Sequence, residues 1–340
     1  MAKIIVTGGL GFIGSHTVVE LQNAGHDVLV VDDLSNTTIE VFERIKSITN
    51  KDFEFYQLDL KKKDDVKSLF AKAGKVDGVI HFAAYKAVGQ SVNSPLEYYE
   101  NNLGSLVYLL QEMRDNKLDN LIFSSSCTVY GQAEDLPITE HSPVQSALSP
   151  YGNTKQVGEE IILDAIAAHN FNTISLRYFN PVGAHPSAKI GELPLGVPLN
   201  LVPYITQTAV GLREQLSVFG DTYDTHDGTC IRDYIHVVDV AKAHVIAVER
   251  LLAKANEDNY EVFNLGSGKG STVLEVIHAF EKVSGKNLNY KIVERREGDV
   301  TAAFADTTKA NETLGWKAEK SLDDAVADAW RWEQKIREEV

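Results

Sequence analysis

The feature that most constrains this chain is a regular alternation of short apolar runs with longer helix-like segments in its first half. The predicted strands are Ile4–Val6, Val28–Val31, Phe53–Phe55, Val79–Phe82, Leu121–Phe123 and Thr173–Leu176. The predicted helices are Gly14–Asn23, Asp64–Ala73, Leu103–Arg114 and Gln156–His169. Apolar strands alternating with helices favour a parallel sheet covered on both faces. The pattern therefore predicts a doubly wound α/β fold.

The second half of the chain has a different character. Residues 181–203 contain five prolines, which indicates a long loop leading into a second region. Further helices are predicted at Val202–Gly211, Val238–Ala253, Val273–Val283 and Asp323–Glu338. We expect a nucleotide-binding domain over residues 1–180 and a smaller C-terminal α/β domain, mainly for substrate, over 181–340. Segments around 217–240 and 260–266 are candidates for a return to the first domain.

Composition excludes several classes of protein. The 48 acidic residues exceed the 33 lysines and arginines and give a net charge of −15, which repels nucleic acid and anionic membranes. Two cysteines, Cys127 and Cys230, are too few for a disulfide scaffold, and the histidines show no metal-ligand spacing. With no signal-peptide pattern and no apolar run of about 18 residues, we expect a cytoplasmic protein without a metal.

A glycine-rich loop, Thr7–Gly14, follows the first predicted strand and opens a helix. In such loops the first glycine (here Gly8) allows a tight turn. The second (Gly11) lets backbone approach a pyrophosphate, and the third (Gly14) lets helix and strand pack closely. The helix N-terminus then offers free N–H groups to phosphate. Glycines also mark ordinary turns, so the surrounding sequence is needed to distinguish a phosphate-binding loop from an ordinary turn.

That surrounding sequence includes Asp32, which ends the second predicted strand. An acidic residue there accepts hydrogen bonds from the adenosine ribose hydroxyls. Its charge also repels a 2′-phosphate, which favours NAD over NADP. The alternative is that Asp32 caps the next turn. Together with the glycine loop, Asp32 predicts an NAD site.

Tyr151 and Lys155 form a Tyr-x-x-x-Lys pair, and residues four apart lie on one helix face. The ammonium can sit near the phenol and lower its pKa from about 10. Ser126 ends the fifth predicted strand, where an open parallel sheet binds its ligands. The alternatives are a solvated helix face and a serine-rich turn. The order of loop, Asp32, Ser126, Tyr151 and Lys155 favours a catalytic site instead.

Several longer motifs carry a resemblance to a known family. They are Thr7–Gly14, His81–Ala83, Lys86–Gly89, Pro95–Tyr99, Ser124–Gly131, Arg177–Pro186, Arg232–Val237 and Arg296–Asp299. On these the chain resembles, over nearly its whole length, the UDP-galactose 4-epimerase family of extended short-chain dehydrogenases/reductases. The resemblance implies a Rossmann-type fold, tightly bound NAD, a homodimer, and reversible epimerisation at C4 of UDP-galactose to UDP-glucose through a transient 4-keto sugar.

The resemblance also implies the residues of the two binding shells. Beyond the glycine loop, the cofactor shell would include Phe12, Ile13, Asp32, Asp33, Asn36, Asp59, Leu60, Phe82, Ala83, Ala84, Lys86, Asn101, Ser124, Tyr151, Lys155 and Phe179. The UDP-sugar shell would include Ser126, Tyr151, Asn180, Asn200, Leu201, Phe219, Arg232, Arg296, Asp299 and Ala303. Ala84, often Gly in the family, and Leu199, often Asn, depart from the family pattern. Arg232 and Arg296 suit a diphosphate in this acidic chain.

Sister enzymes that share the first hydride step are the main alternatives. Sugar 4,6-dehydratases carry an Asp-Glu pair just after the strand-five serine or threonine, and UDP-glucuronate decarboxylases usually carry Glu there. This chain has Cys127 and Thr128, which are no acid/base pair near neutral pH. GDP-fucose synthases use a cysteine, yet the longer motifs differ from theirs. A catalytically silent regulator would normally have lost Tyr151 or Lys155.

Ala303 bears on the substrate range. Some family members have a tyrosine there that crowds the sugar's C2 substituent, and members with a small residue tend to accept N-acetylated sugars. The resemblance therefore predicts that UDP-N-acetylglucosamine and UDP-N-acetylgalactosamine are also substrates. The alternative is that Ala303 faces the core.

Overall fold

A computed structural model of the chain describes residues 1–296 and 299–338. The strands are β1 (Lys3–Thr7), β2 (Asp27–Asp32), β3 (Glu54–Gln57), β4 (Gly78–His81), β5 (Asn120–Ser126), β6 (Asn172–Tyr178), β7 (Asn180–Val182), β8 (Leu216–Phe219), β9 (Ile231–Arg232), β10 (Tyr234–His236), β11 (Tyr260–Leu265), β12 (Ser271–Thr272), β13 (Tyr290–Val293) and β14 (Ala302–Ala303).

The helices alternate with these strands along the first half and separate the shorter strands of the second. They are α1 (Phe12–Asn23), α2 (Glu40–Thr49), α3 (Lys63–Ala73), α4 (Val88–Asn93), α5 (Pro95–Tyr99), α6 (Ser105–Asp115), α7 (Pro150–Ala168), α8 (Leu201–Ala209), α9 (Val237–Leu252), α10 (Val273–Ser284) and α11 (Leu322–Glu338). Short π-helical turns occur at Glu100–Gly104 and Ala310–Leu314, and a 3₁₀ turn at Cys127–Tyr130.

The main sheet has seven parallel strands in the order β11-β6-β5-β4-β1-β2-β3. Alternate residues of its central strands pack on opposite faces. Ile4 and Val6 join a cluster with residues of α1 and α9, whereas Ile5 joins a cluster with residues of α3 and α6. Helices therefore cover both faces, and the predicted doubly wound α/β fold is confirmed.

The strand order creates the crevice in which a ligand can bind. The chain runs outward in one direction from β1 to β3 and in the other from β4 to β6. Loops leaving the carboxyl ends of β1 and β4 therefore diverge, and open sheets bind ligands at such a switch point. The glycine loop and the segments after β2, β3, β4 and β5, described below, all leave this carboxyl edge.

Part of the second half returns to the first domain. Strand β11 pairs with β6 in the main sheet, and α9 packs on α1. The preceding segment stays with the second region, where β8 pairs with β13 and β9 pairs with β12 and β14. The division into a cofactor domain and a substrate domain stays a prediction.

The second region has its own apolar core, built by α8, α10, α11 and β8. Phe280 and Trp330 meet edge to face in it, with ring centres 5.4 Å apart. A capping box between Thr272 and Glu275 starts α10, which satisfies two backbone N–H groups at the helix end. None of the described helices is long and apolar enough to cross a membrane.

Candidate active site

The glycine loop between β1 and α1 is closely packed. Gly8 has φ +66°, and a Cβ atom there would lie 2.8 Å from the backbone nitrogen of Ala83. A Cβ atom on Gly14 would lie 2.2 Å from the carbonyl oxygen of Gly8. Gly11 is less crowded, its Cβ position being 3.2 Å from that same oxygen. Larger residues at Gly8 and Gly14 would therefore displace the loop from the sheet and the helix.

The loop leaves the start of α1 open to a ligand. Gly11 is the N-cap residue, and no side chain accepts a hydrogen bond at this cap. The first N–H groups of a helix have no partner within the helix itself. Phe12, Ile13 and Gly14 therefore offer N–H groups at the positive end of the helix dipole, which is the environment that a pyrophosphate requires.

Asp32 lies at the end of β2 beside this loop. Its carboxylate accepts hydrogen bonds from the backbone N–H of Leu10 (3.1 Å) and of Leu34 (3.0 Å). Burial raises its pKa, and these hydrogen bonds oppose the rise. Asp32 thus caps the following turn, as the alternative interpretation held. Each of its oxygens still has a second lone pair, so the capping does not exclude ribose as a further partner.

The other residues predicted for the adenosine end follow β2 and β3. Asp33 accepts hydrogen bonds from the N–H and hydroxyl of Ser35, and Asn36 is exposed. Asp59 accepts a hydrogen bond from the backbone N–H of Lys61, and Leu60 is buried. The structure therefore brings these residues to the same edge of the sheet as Asp32.

The segment after β4 lies against the glycine loop. The N–H of Ala83 donates to the Thr7 hydroxyl (3.3 Å), and Phe82 packs on His244 with ring centres 4.6 Å apart. Ala84 follows at the same crevice. Lys86 lies farther out, with its ammonium 5.8 Å from the centre of the Phe12 ring.

Two more predicted cofactor residues lie in the π-helical turn before α6 and directly after β6. Asn101 is buried in the π-helical turn and donates to the side chain of Asn102 (3.0 Å), which in turn donates to Thr154 on α7 (3.0 Å). Phe179 follows β6, is buried, and donates its N–H to the carbonyl of Leu265 (3.1 Å).

The predicted catalytic residues meet at the carboxyl end of β5. Ser126 is the last residue of that strand, and Tyr151 lies in the first turn of α7, whose N-cap residue is Ser149. The Lys155 ammonium donates to the carbonyl of Ser124 (2.6 Å) and lies 5.9 Å from the centre of the Tyr151 ring. A hydrogen bond with Ser126 favours the ionised form of Tyr151. The three side chains are therefore neighbours.

The acid–base properties of this group differ from the expectation. Burial raises the pKa of Tyr151 to about 12, and the hydrogen bond with Ser126 only partly opposes it. Burial also lowers the pKa of Lys155 to about 8, against the charge of Glu159. The predicted lowering of the Tyr151 pKa by Lys155 is therefore wrong for this arrangement. The physical reason is that the ammonium is directed to a backbone carbonyl, and desolvation of the phenolate dominates.

Two further residues beside this group were not predicted from the sequence. The hydroxyl of Tyr178, on β6, makes a short hydrogen bond with the Ser124 hydroxyl. Glu159, one helical turn after Lys155, is buried and pairs with Arg177. Spacing could have indicated both residues, because Tyr178 lies within the Arg177–Pro186 motif and Glu159 continues the helix face of Tyr151 and Lys155.

Two arginines converge on the substrate side. Arg232 lies 3.4 Å and Arg296 2.9 Å from oxygens of the Asp299 carboxylate. The Arg296 guanidinium also lies over the ring of Phe219, 4.8 Å from its centre. Two neighbouring guanidinium groups can bind a diphosphate bidentately. Glu297 and Gly298, from the same motif, lie outside the described residues.

One carboxylate links the two predicted shells. Glu192 lies 2.9 Å from the ammonium of Lys86 and accepts a hydrogen bond from the amide of Asn200 (2.6 Å). Asn200 immediately precedes α8, which begins at Leu201. Asn180 begins β7 and donates its N–H to the carbonyl of Asp233 (3.0 Å). Glu192 was missed because nothing in its local pattern marks it.

Ala303 lies in β14, directly opposite Arg232 in the paired strand β9. It is half-buried and packs against a small apolar cluster that includes Phe179 and also contacts Cys127. Ala303 thus contributes to an apolar cluster and at the same time adjoins both predicted shells. Burial raises the pKa of the Cys127 thiol to about 12, so this residue stays a neutral thiol near neutral pH.

No group of three or more His, Cys, Asp or Glu side chains within the described residues could hold a metal ion. The side chains of Tyr151, Lys155 and Ser126 offer the chemistry of a phenol, an ammonium and a hydroxyl. These groups lie at one edge of a sheet whose glycine loop suits a dinucleotide. That combination fits transfer of a proton alongside transfer of a hydride.

Comparison with known proteins agrees with this geometry. Residues 4–266 match the model of the NAD dependent epimerase/dehydratase family. The chain is 51% identical over 331 residues to a UDP-glucose 4-epimerase of Bacillus subtilis, covering 97% of this chain and 96% of that protein. It is 48% identical over 332 residues to a UDP-glucose 4-epimerase of Haemophilus influenzae, covering 97% of each chain.

Solved structures give the same result. A UDP-glucose-4-epimerase from Stenotrophomonas maltophila, with bound NAD and formylated UDP-arabinopyranose, superposes with a TM-score of 0.96 at 45% identity over 100% of both chains. One from Bifidobacterium longum, in complex with NAD⁺ and UDP, has a TM-score of 0.94 at 46% identity, covering 98% of this chain and 99% of that one. The chain therefore belongs to the NAD dependent epimerase/dehydratase family and, within it, to the UDP-glucose 4-epimerases.

Proposed function

We propose that this protein is an isomerase that interconverts UDP-galactose and UDP-glucose by inversion at C4 of the hexose, with tightly bound NAD, in galactose metabolism. The observation that carries the proposal is the meeting of Ser126, Tyr151 and Lys155 beside the glycine loop. The family membership specifies the reaction among those that such a group can serve.

The residues present fit NAD. The uncapped start of α1 suits the pyrophosphate, and a Cβ atom on Gly8 or Gly14 would close the loop that it approaches. Asp32 keeps lone pairs for the adenosine ribose. When bound, NAD supplies the acceptance and return of a hydride at C4 of the sugar.

Tyr151 transfers the proton. Its hydroxyl is buried beside Ser126, which keeps bulk water away and orients the 4-hydroxyl of the sugar. A phenolate at Tyr151 is stabilised by the Ser126 hydrogen bond, and the Lys155 ammonium lies 5.9 Å from the centre of its ring. Tyr151 takes the proton as the 4-keto sugar forms and returns it when the opposite epimer forms.

The nucleotide anchors the sugar while it turns over. Arg232 and Arg296, which meet at Asp299, are placed to bind the diphosphate. The family resemblance assigns the rest of the UDP-sugar contacts to Asn180, Asn200, Leu201 and Phe219. Binding energy from this remote part of the substrate holds the keto intermediate, which must present both faces without escaping.

The small, half-buried side chain of Ala303 packs against the apolar cluster that includes Phe179. This supports a wider substrate range that includes UDP-N-acetylglucosamine and UDP-N-acetylgalactosamine. The homodimer and the cytoplasmic location stay predictions. The exposed apolar side chains of Val92 and Leu96, 60% and 77% exposed on α4 and α5, support a protein partner on that side.

Proton NMR of UDP-galactose with the purified protein, without added cofactor, tests the proposal. We expect signals of UDP-glucose to grow until the two sugars reach equilibrium, because NAD stays bound through purification. Tyr151→Phe should lower the rate at least about 100-fold, since general acid–base catalysis contributes that much, while bound NAD is retained. Tyr99→Phe is the matched control. It removes from α5 a hydroxyl that accepts a hydrogen bond from Asn153, which lies on α7 as Tyr151 does. An unchanged sugar, even after NAD is supplied, would contradict the proposal.

A further inference from the structure

A buried ion pair lies directly behind the catalytic group. Glu159 is on α7, one turn after Lys155, and Arg177 is on β6; their side chains are 8% and 7% exposed. The guanidinium donates from Nε to Oε1 of Glu159 (2.9 Å) and from Nη2 to Oε2 (2.5 Å). The pair is therefore bidentate, which fixes the direction of the carboxylate as well as its distance.

The same carboxylate also holds strand β5. The hydroxyl of Ser125 donates to Oε1 of Glu159 (2.5 Å). Ser125 lies between Ser124, whose carbonyl accepts from the Lys155 ammonium, and Ser126, which lies beside Tyr151. One anion on α7 thus fixes the part of β5 that contacts both Tyr151 and Lys155.

The network continues to the edge of the sheet. Arg177 donates from Nη1 to the Tyr130 hydroxyl (3.0 Å), and Tyr130 donates to the side chain of Asn264 on β11 (2.7 Å). Tyr130 closes the 3₁₀ turn that follows Ser126. Helix α7, strands β5, β6 and β11, and the turn after Ser126 therefore share one chain of hydrogen bonds.

A stabilising role alone does not account for this arrangement. Burying two charges costs free energy that their attraction often fails to offset, so a buried ion pair is weak evidence for stability. Here the pair lies one helical turn from the ammonium of the catalytic group. We propose that Glu159 is a positioning residue, which seats the Tyr151–Lys155 face of α7 against the carboxyl end of β5 and keeps the Lys155 ammonium charged.

The charges around Lys155 support the proposal that Glu159 keeps the Lys155 ammonium charged. On α7 it faces Tyr151 and Glu159, and on β5 the Ser124 carbonyl. His81 on β4, whose pKa burial lowers to about 3, is neutral near neutral pH. Tyr178 on β6, whose pKa burial raises, is neutral as well. Arg177 is cationic but already paired, so Glu159 supplies the negative charge that favours protonated Lys155.

Glu159→Gln tests the inference, because glutamine keeps the shape and removes the charge. Lysine labelled with ¹³C at Cε reports the Lys155 pKa by NMR titration, with the Lys155→Met spectrum for assignment. We expect the Lys155 pKa to fall by about one unit in Glu159→Gln. The alkaline limb of the kcat profile should move to lower pH by the same amount, with KM little changed.

Glu160→Gln is the matched control, because it removes the same charge from the neighbouring, exposed position of α7. It should leave both the Lys155 titration and the kcat profile as in the native protein. A Lys155 titration that is unchanged in Glu159→Gln would overturn the inference, even if the variant were less stable, because a purely structural residue gives that result.

If Glu159→Gln leaves Arg177 unpaired and fails to fold, the double variant Glu159→Gln with Arg177→Gln removes both charges and avoids an uncompensated cation. A smaller fall in the Lys155 pKa is expected there, because the Arg177 cation is removed together with the Glu159 anion, and a native value would overturn the inference. The expected shift in the pH profile of kcat rests on the proposed function, whereas the NMR titration of Lys155 does not. Lack of turnover in the native protein would therefore count against the function alone.

Discussion

Tyr151 and Lys155 lie one helical turn apart, and burial moves their pKa values away from each other. It raises the pKa of Tyr151 to about 12 and lowers that of Lys155 to about 8. Both shifts oppose the charged forms, because each group loses water on entering the protein. The site therefore depends on nearby polar groups, such as Ser126 and Glu159, to make a phenolate and an ammonium accessible together.

At the same scale, we expect Ala303 to decide which sugars fit. We expect the native protein to epimerise UDP-N-acetylglucosamine, and Ala303→Tyr to lower that turnover at least about 10-fold, because one added group in a pocket changes discrimination by that order. Turnover of UDP-galactose should change little in the variant. Rates for both sugars, measured by NMR, check this.

Ala303→Ser is the matched control for that substitution and should keep both activities, since serine is also small. If the native protein gives no turnover of the acetylated sugar at high enzyme concentration, the assignment of Ala303 to the sugar pocket is refuted.

At the scale of elements, the approach of α1 to the sheet depends on residues that lack a side chain. Gly14 lies within α1 against the carbonyl of Gly8, and Gly8 in turn lies against the backbone of Ala83 after β4. The glycine loop, α1 and the segment after β4 are therefore in direct backbone contact. This contact is what leaves the start of the helix accessible to a phosphate.

Gly14→Ala should disrupt this contact, because its Cβ atom would lie 2.2 Å from the Gly8 oxygen. We expect a loss of about 1–3 kcal/mol in the free energy of unfolding, as for other overpacked sites, together with loss of bound NAD. Urea unfolding and the NAD content of the purified protein measure the two effects.

Gly89→Ala provides the comparison on α4, where a Cβ atom would meet nothing within 4 Å. It should be neutral or stabilising by up to about 1 kcal/mol, because alanine favours a helix more than glycine does. Native stability and native NAD content in Gly14→Ala would show that the helix can shift without consequence.

At the scale of the whole molecule, buried histidines make the fold sensitive to acid. His16 on α1, His81 on β4 and His244 on α9 are each less than 4% exposed. Burial lowers their pKa to about 3, about 3 and about 4, respectively. In the unfolded chain a histidine has a pKa of about 6.5. Between these values the unfolded chain binds protons that the folded protein does not.

The free energy of unfolding should therefore fall as the pH falls below about 6.5, and the contribution of these histidines is fully present only above that value. Between about pH 5.5 and 4.5 the three together account for a fall of about 4 kcal/mol per pH unit. Urea unfolding at a series of pH values measures the slope, to which protonated carboxylates add at lower pH.

A pair of variants isolates the histidine contribution. His244→Gln should reduce the slope by about one proton, or about 1.4 kcal/mol per pH unit. His141→Gln, at an exposed position, should leave it unchanged. Equal slopes in the two variants would contradict the assignment of acid sensitivity to buried histidines.

The sequence predicted those parts of the fold that depend on local pattern. The strands of the main sheet through β6 and the longer helices were placed to within a few residues, except that α7 begins six residues before the predicted start. Their apolar runs and helical periods are long enough to be recognised. Helix α2, with Ile45 as its buried residue, and the two- to four-residue strands of the second region were missed. Such short elements carry too little periodicity.

The sequence by itself determined the doubly wound fold, the glycine loop and the meeting of Ser126, Tyr151 and Lys155, because spacing and strand ends specify them. Tertiary structure alone decided the pairing of β11 with β6, the bonds of Glu159 with Arg177 and Ser125, and the direction of the pKa shift at Tyr151, although the sequence marked residues 260–266 as a candidate for a return to the first domain. These depend on which distant segments become neighbours and on how much water they exclude. Neither property is encoded in a local pattern of residues.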